Sequence, residues 1–107
     1  MDKHRRERLQ KAGWAVGSVA DFLNLTPEEE ALIEMKLALS HDLEHRRKLL
    51  GLTQGQLAKR LGSSQSRVAK MEATDASVSI DLLIRALLAL GATPKALART
   101  LGTKRAA

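Results

Sequence analysis

The chain has no cysteine, no tyrosine, two prolines and only two aromatic side chains, Trp14 and Phe22. The missing cysteine excludes structural disulfides, thiol catalysis and cysteine-based zinc sites. Histidine is scarce as well, at positions 4, 41 and 45. His41 and His45 stand four apart on an expected helix, a spacing that can hold a metal. No third ligand is apparent, so a solvated surface and no metal are expected. No apolar stretch approaches the roughly 20 residues a membrane span needs. The basic N-terminus has no apolar core behind it, so no signal peptide is expected. Val and Ile are scattered, which leaves strands without support and predicts an all-α chain. Paired carboxylates, a nucleophile–base set and a phosphate loop are all missing, so neither an enzyme nor a cofactor is expected.

The 107 residues suffice for one small domain with an added element. The formal net charge of +6 is unevenly spread. Residues 1–20 carry five Lys/Arg against two acids, residues 21–44 seven acids against Lys36, and residues 45–107 twelve Lys/Arg against three acids. Clustered cations reward phosphate neutralisation, so the basic two-thirds point to nucleic acid. The acidic block reads either as solvated charge or as a surface for a basic partner.

Residues 1–13 form an expected flexible basic arm (Lys3, Arg5, Arg6, Arg8, Lys11). Residues 14–36 read as an N-terminal helical extension, with a capping pattern at Ser18/Asp21 and a short helix over 19–23. Trp14, Val16 and Phe22 are its expected anchors on the core. Thr26-Pro27-Glu28-Glu29 is a helix start: Thr26 caps, Pro27 suits the first position and Glu29 completes the reciprocal box. No Gly or Pro follows until Gly51, so one helix of about six turns and a break near Ser40 are both allowed. Leu32, Met35, Leu39, Leu43, Arg46 and Leu50 fall on one stripe.

Thr53 with Gln56 forms a second capping box, ahead of a helix that buries Leu57, Ala58 and Leu61 and stops at Gly62. Ser64 caps the next helix, whose Val68 and Met71 face inward. After a loop from Ala73 to Val78, Ser79 opens a helix with Leu82, Leu83, Ala86, Leu87 and Leu90 inside. Thr93-Pro94 starts a last helix carrying Leu97 and Leu101. Residues 102–107 read as a polar tail.

The run Thr53–Glu72 supplies what a helix–turn–helix unit needs: two short helices, a small residue at the turn and a polar outer face on the second. Gln65, Ser66, Arg67, Ala69 and Lys70 turn outward there. Gln can bond adenine bidentately, Arg can do so with guanine, and Ser tolerates either.

On these residues the chain resembles the DNA-binding domain of the phage lambda and 434 repressors, the Xre-type helix–turn–helix family. The resemblance spans residues 37–101 and implies a five-helix, lambda-repressor-like fold. It implies base reading by Gln65, Ser66, Arg67 and Lys70. Phosphate contact or support falls to Gln54, Ser64 and Thr53. Arg47 and Glu72 match a family ion pair, read as structural rather than catalytic. The family commonly continues after this Glu with Asn-Gly and basic residues. Here Ala73–Ser79 holds no Lys or Arg and one acid. Phosphate contacts there would come from hydroxyls and backbone N–H groups, or else from the basic arm.

The V-A-D-F-L-N-L-T-P-E-E-E run, Val19–Glu30, feeds a Lys-Leu-Ala-Leu helix and looks like the HigA-type branch, many of whose members are antitoxins. That implies a homodimer on a double-stranded operator, autorepression, and a small basic ribonuclease toxin of the RelE/HigB kind as partner. The alternative is a phage- or host-type repressor with no toxin. The expected location is cytoplasmic and nucleoid-associated. Leu97, Leu101 and the outer side of the 79–90 helix serve either the dimer surface or the core.

Overall fold

The computed structural model describes residues 3, 4, 7, 8 and 25–102. Lys3, His4, Glu7 and Arg8 are helical and exposed. Arg5, Arg6, Lys11, the expected anchors Trp14, Val16 and Phe22, the helix expected over 19–23 and residues 103–107 lie outside the described residues. Five helices follow Thr26: α1 (Pro27–Leu49), α2 (Gln54–Leu61), α3 (Gln65–Glu72), α4 (Ile80–Ala89) and α5 (Pro94–Gly102). No strand occurs among the described residues. No described helix is long and apolar enough to cross a membrane.

Helix α1 begins with a full capping box. Glu29 N–H donates to Thr26 Oγ1 at 3.1 Å and Thr26 N–H donates to Glu29 Oε1 at 3.4 Å. Three glutamates occupy its first turn and Arg46, Arg47 and Lys48 its last, both signs matching the helix dipole. With no Gly or Pro inside, it runs unbroken for 23 residues, straight through Ser40 and through the junction of residues 36 and 37.

One hydrophobic core serves all five helices. Leu39 and Leu43 of α1 meet Leu57 and Ala58 of α2, Val68 and Met71 of α3, Leu83, Ala86 and Leu87 of α4, and Leu97 of α5. Each of the fully buried large side chains contributes about 1.5–3 kcal/mol of burial free energy. Helix α1 packs on α3, α4 and α5, and α2 packs on α3.

The buried face of α1 differs from the stripe expected of it. Leu32, Met35 and Leu50 are exposed, whereas Ile33, Lys36, Leu37, Ala38 and Ser40 are buried. Two neighbouring stripes of three- and four-residue steps share Leu39 and Leu43, and periodicity alone does not separate them. Lys36 falls on the buried one. Burial pushes its ammonium below the usual lysine range, and the Asp75 carboxylate opposes that shift. Leu97 is buried and completes the core, leaving Leu101 and Leu88 as the exposed leucines of α5 and α4.

Four helix ends share one device. At α1 the Leu52 N–H donates to Arg47 O and Gly51 N–H to Lys48 O. The same paired bonds close α2 at Gly62, α3 at Thr74 and α4 at Gly91. All four residues have positive φ (69°, 65°, 57° and 93°), and Thr74 is the one without glycine's freedom there.

Candidate nucleic-acid interface

Helices α2 and α3 are set by local chemistry. Gln56 N–H donates to Thr53 Oγ1 at 3.1 Å and Thr53 N–H donates to Gln56 Oε1 at 2.8 Å, which closes the capping box of α2. Gly62, with φ 65°, turns the chain sharply, and Ser64 Oγ then accepts from Arg67 N–H at 3.1 Å to start α3. Each capping hydroxyl accepts one bond and keeps its own proton for another partner. Val68 and Met71 sink into the core and hold α3 by its inner side.

The outer side is polar and unengaged. Gln65, Ser66, Arg67 and Lys70 are all exposed. None of these four side chains makes a hydrogen bond or ion pair among the described residues. Two grooves flank α3. One runs toward α4 and is lined by Ser64, Arg67, Ser77, Val78 and Leu82, together with Ser66 and Lys70. The other runs toward α1 and α2, past Glu44, Gln54, Ala69 and Asp75. Ser66 and Lys70 line both, so they form the crest of α3. Gln65 faces α2, with its Oε1 4.0 Å from where a Cβ on Gly55 would stand.

A polar hub fixes the far end of α3. Arg47 donates from Nε to Glu72 Oε2 at 2.6 Å and from Nη2 to Glu72 Oε1 at 3.0 Å. Its Nη1 donates to Leu52 O at 2.8 Å, and Gln54 Nε2 donates to Glu72 Oε1 at 3.2 Å. The Glu72 hydrogen bonds hold the Arg47 guanidinium above its already high range. The hub therefore ties the end of α1, the start of α2 and the end of α3 together. It leaves Gln54 one amide proton and one carbonyl oxygen for an outside partner.

The distribution of ion pairs separates the surface into two parts. Arg46 pairs with Asp42, Lys48 with Glu44 and Arg85 with Asp81, each one turn apart on its own helix. Lys59 and Arg60 of α2 and Arg67 of α3 have no such partner among the described residues, whereas Lys70 feels the Asp75 carboxylate without bonding to it. Cations without an internal carboxylate keep their full attraction for phosphate.

The loop behind α3 closes on itself. Asp75 Oδ1 accepts from Ser77 N–H at 2.9 Å and from Ser77 Oγ at 2.6 Å, and Asp75 O accepts from Val78 N–H at 3.0 Å. These bonds from Ser77, helped by Lys70 and Lys36, hold the Asp75 carboxyl below its usual range. Thr74 is buried. Most of the donors that could have met a phosphate are thus already engaged inside the turn. The spacing Asp75-x-Ser77 is the signal that sequence reading could have used. For buried Lys36 there was none.

No group of three metal-ligating side chains occurs among the described residues, and His41 and His45 are exposed on α1. The helix-turn-helix family model HTH_3 matches residues 43–97, from the second half of α1 into α5. The chain belongs to this Xre-like helix-turn-helix family, its five helices conform to a lambda-repressor-like fold, and it is a DNA-binding transcriptional regulator. No curated protein and no solved structure matches it.

Proposed function

We propose that the chain represses transcription by binding an operator as a homodimer, with one α3 in each of two successive major grooves. Gln65, Ser66, Arg67 and Lys70 read base edges in this arrangement, while Thr53, Gln54 and Ser64 hold the backbone at the α2 and α3 starts. The observation that carries the reading is the outer side of α3: four exposed groups with no hydrogen bond or ion pair among the described residues, on a helix anchored by its core residues and by Glu72. The exposed outer side of α4, with Leu88, and Leu101 of α5 are the apolar candidates for the dimer contact. Such a protein works in the cytoplasm, at the nucleoid.

The finer reading is the antitoxin of a type II toxin–antitoxin pair that controls its own operon. Its support is the start of α1, where Glu28 and Glu29 stand exposed beside exposed Leu32 and Met35. An acidic face with an apolar strip suits a small basic ribonuclease toxin. The alternative, a phage- or host-type repressor, has no such partner. Co-purification with the product of the adjoining gene, followed by a gel shift on the shared promoter, tests both levels. A shift without a co-purified partner retains the repressor and removes the toxin. No shift on that promoter removes the operator reading.

A further inference from the structure

The helix–turn–helix unit leaves a shortfall of positive charge on one side. The loop from Ala73 to Ser79 has no cation, and its Ser77 donors are turned onto Asp75. On the same side of α3 the groove toward α1 is bordered by Glu44, Glu72 and Asp75. Of these, Glu72 is neutralised by Arg47 and Glu44 by Lys48, while Asp75 faces outward beside Lys70. A phosphate backbone approaching here would meet an acid and few donors.

One further side chain lines this groove, and it comes from the other end of the chain. Arg8 borders it together with Gln54, Ser66 and Lys70. Arg8 is exposed and helical, and it has no ion pair or hydrogen bond among the described residues. A guanidinium with no carboxylate to hold it, at the rim of the base-reading surface, is positioned for an anion from outside. Gln54 marks the first turn of α2 on the same rim, where helix N–H groups also favour an anion.

We infer that Arg8 is a phosphate-binding residue of the DNA site, supplying from the N-terminal segment the cation that the loop behind α3 lacks. This rests on the reading of α3 as the DNA-reading helix. The contact is to the backbone, so it adds affinity on any sequence and leaves the operator preference unchanged.

The test compares the chain with Arg8→Ala, Arg8→Lys and Lys95→Ala by fluorescence anisotropy on a random-sequence duplex, over a salt series. Lys95 of α5 is the control, an exposed cation outside both grooves and away from the outer side of α4. Loss of one phosphate contact lowers the slope of log affinity against log salt by about 0.9. Arg8→Ala should show that loss, with weaker binding at low salt. Arg8→Lys should keep the slope, and Lys95→Ala should leave it within error. A slope for Arg8→Ala no lower than that of Lys95→Ala overturns the inference while wild-type binding upholds the DNA reading. Tighter binding by Arg8→Ala also overturns it, since Arg8 would then cover the site. Wild-type protein that binds neither duplex nor promoter removes the DNA reading and this inference together.

Discussion

Arg47 and Glu72 meet through two parallel hydrogen bonds, 2.6 and 3.0 Å long, across 25 positions of sequence. Their side chains are only 12% and 4% exposed. A pair this enclosed specifies geometry more than it adds stability, because both ions lose water on folding. Its effect is angular: it sets the end of α3 against the end of α1 and holds Gln54 at the junction.

Breaking one half of this pair is therefore worse than removing both. Glu72→Gln or Arg47→Met should destabilise the fold by about 3 kcal/mol, leaving an ion or its partner unmatched. The double variant Arg47→Met/Glu72→Leu should recover most of that in urea unfolding. It should still bind DNA more weakly than wild type, since Gln54 loses its acceptor. Single variants within about 0.5 kcal/mol of wild type would show that the pair is dispensable.

The outer side of α3 makes a prediction about specificity. Gln65→Ala and Arg67→Ala should each weaken operator binding by about 1–3 kcal/mol and spare random DNA. Both side chains are exposed and unpartnered, so their loss should leave the melting temperature unchanged. Equal losses on operator and random duplex would reassign them to the phosphate backbone.

These two sites differ in how far local sequence reveals them. Thr53 and Ser64 act within three residues of themselves, and Gly62 acts at its own φ, so α2, the turn and α3 are legible along the chain. The Arg47–Glu72 contact came from family resemblance, because nothing local joins positions 25 apart. The face of α1 is hidden for the same reason. Leu32 and Met35 fit a helical stripe as well as Ile33 and Leu37 do, and tertiary packing rather than periodicity chooses between them. Asp75 then stands opposite Lys36, a pairing that no periodicity contains. The end of α3 was also obscure, since its left-handed residue is Thr74 rather than glycine.

The turned-in loop predicts how charge on it acts. Asp75 is held below the usual carboxylate range by Ser77, so it stays ionised at every pH above that range. It opposes phosphate beside Lys70 throughout. Asp75→Asn should tighten binding to random duplex a few-fold at low salt, with the gain constant from pH 6 to 8 and fading as salt rises. Because the folded pKa is depressed, the stability this carboxylate contributes is present above its unfolded value. It is lost only as acid carries the pH down through the folded one. A gain that varied between pH 6 and 8 would assign the effect to another group.

Two glycines of the helix–turn–helix unit should respond to alanine with opposite signs. Gly62 has φ 65°, and a Cβ there would meet nothing within 4 Å, so the obstacle is backbone strain alone. Gly62→Ala should cost about 1 kcal/mol and lower the melting temperature by several degrees. Gly55 sits in the first turn of α2, where a Cβ would rest 3.8 Å from Thr53 Oγ1 and 4.0 Å from Gln65 Oε1, both ordinary contacts. Gly55→Ala should therefore stabilise the chain by about 0.5–1 kcal/mol, chiefly by removing unfolded-state freedom. Thermal unfolding of both variants decides the matter. The added methyl also stands beside Gln65 at the mouth of the reading surface. A stabilised Gly55→Ala that binds the operator normally would show that this corner stays clear of DNA. Stabilisation with weakened binding would place the backbone of α2 against the phosphates.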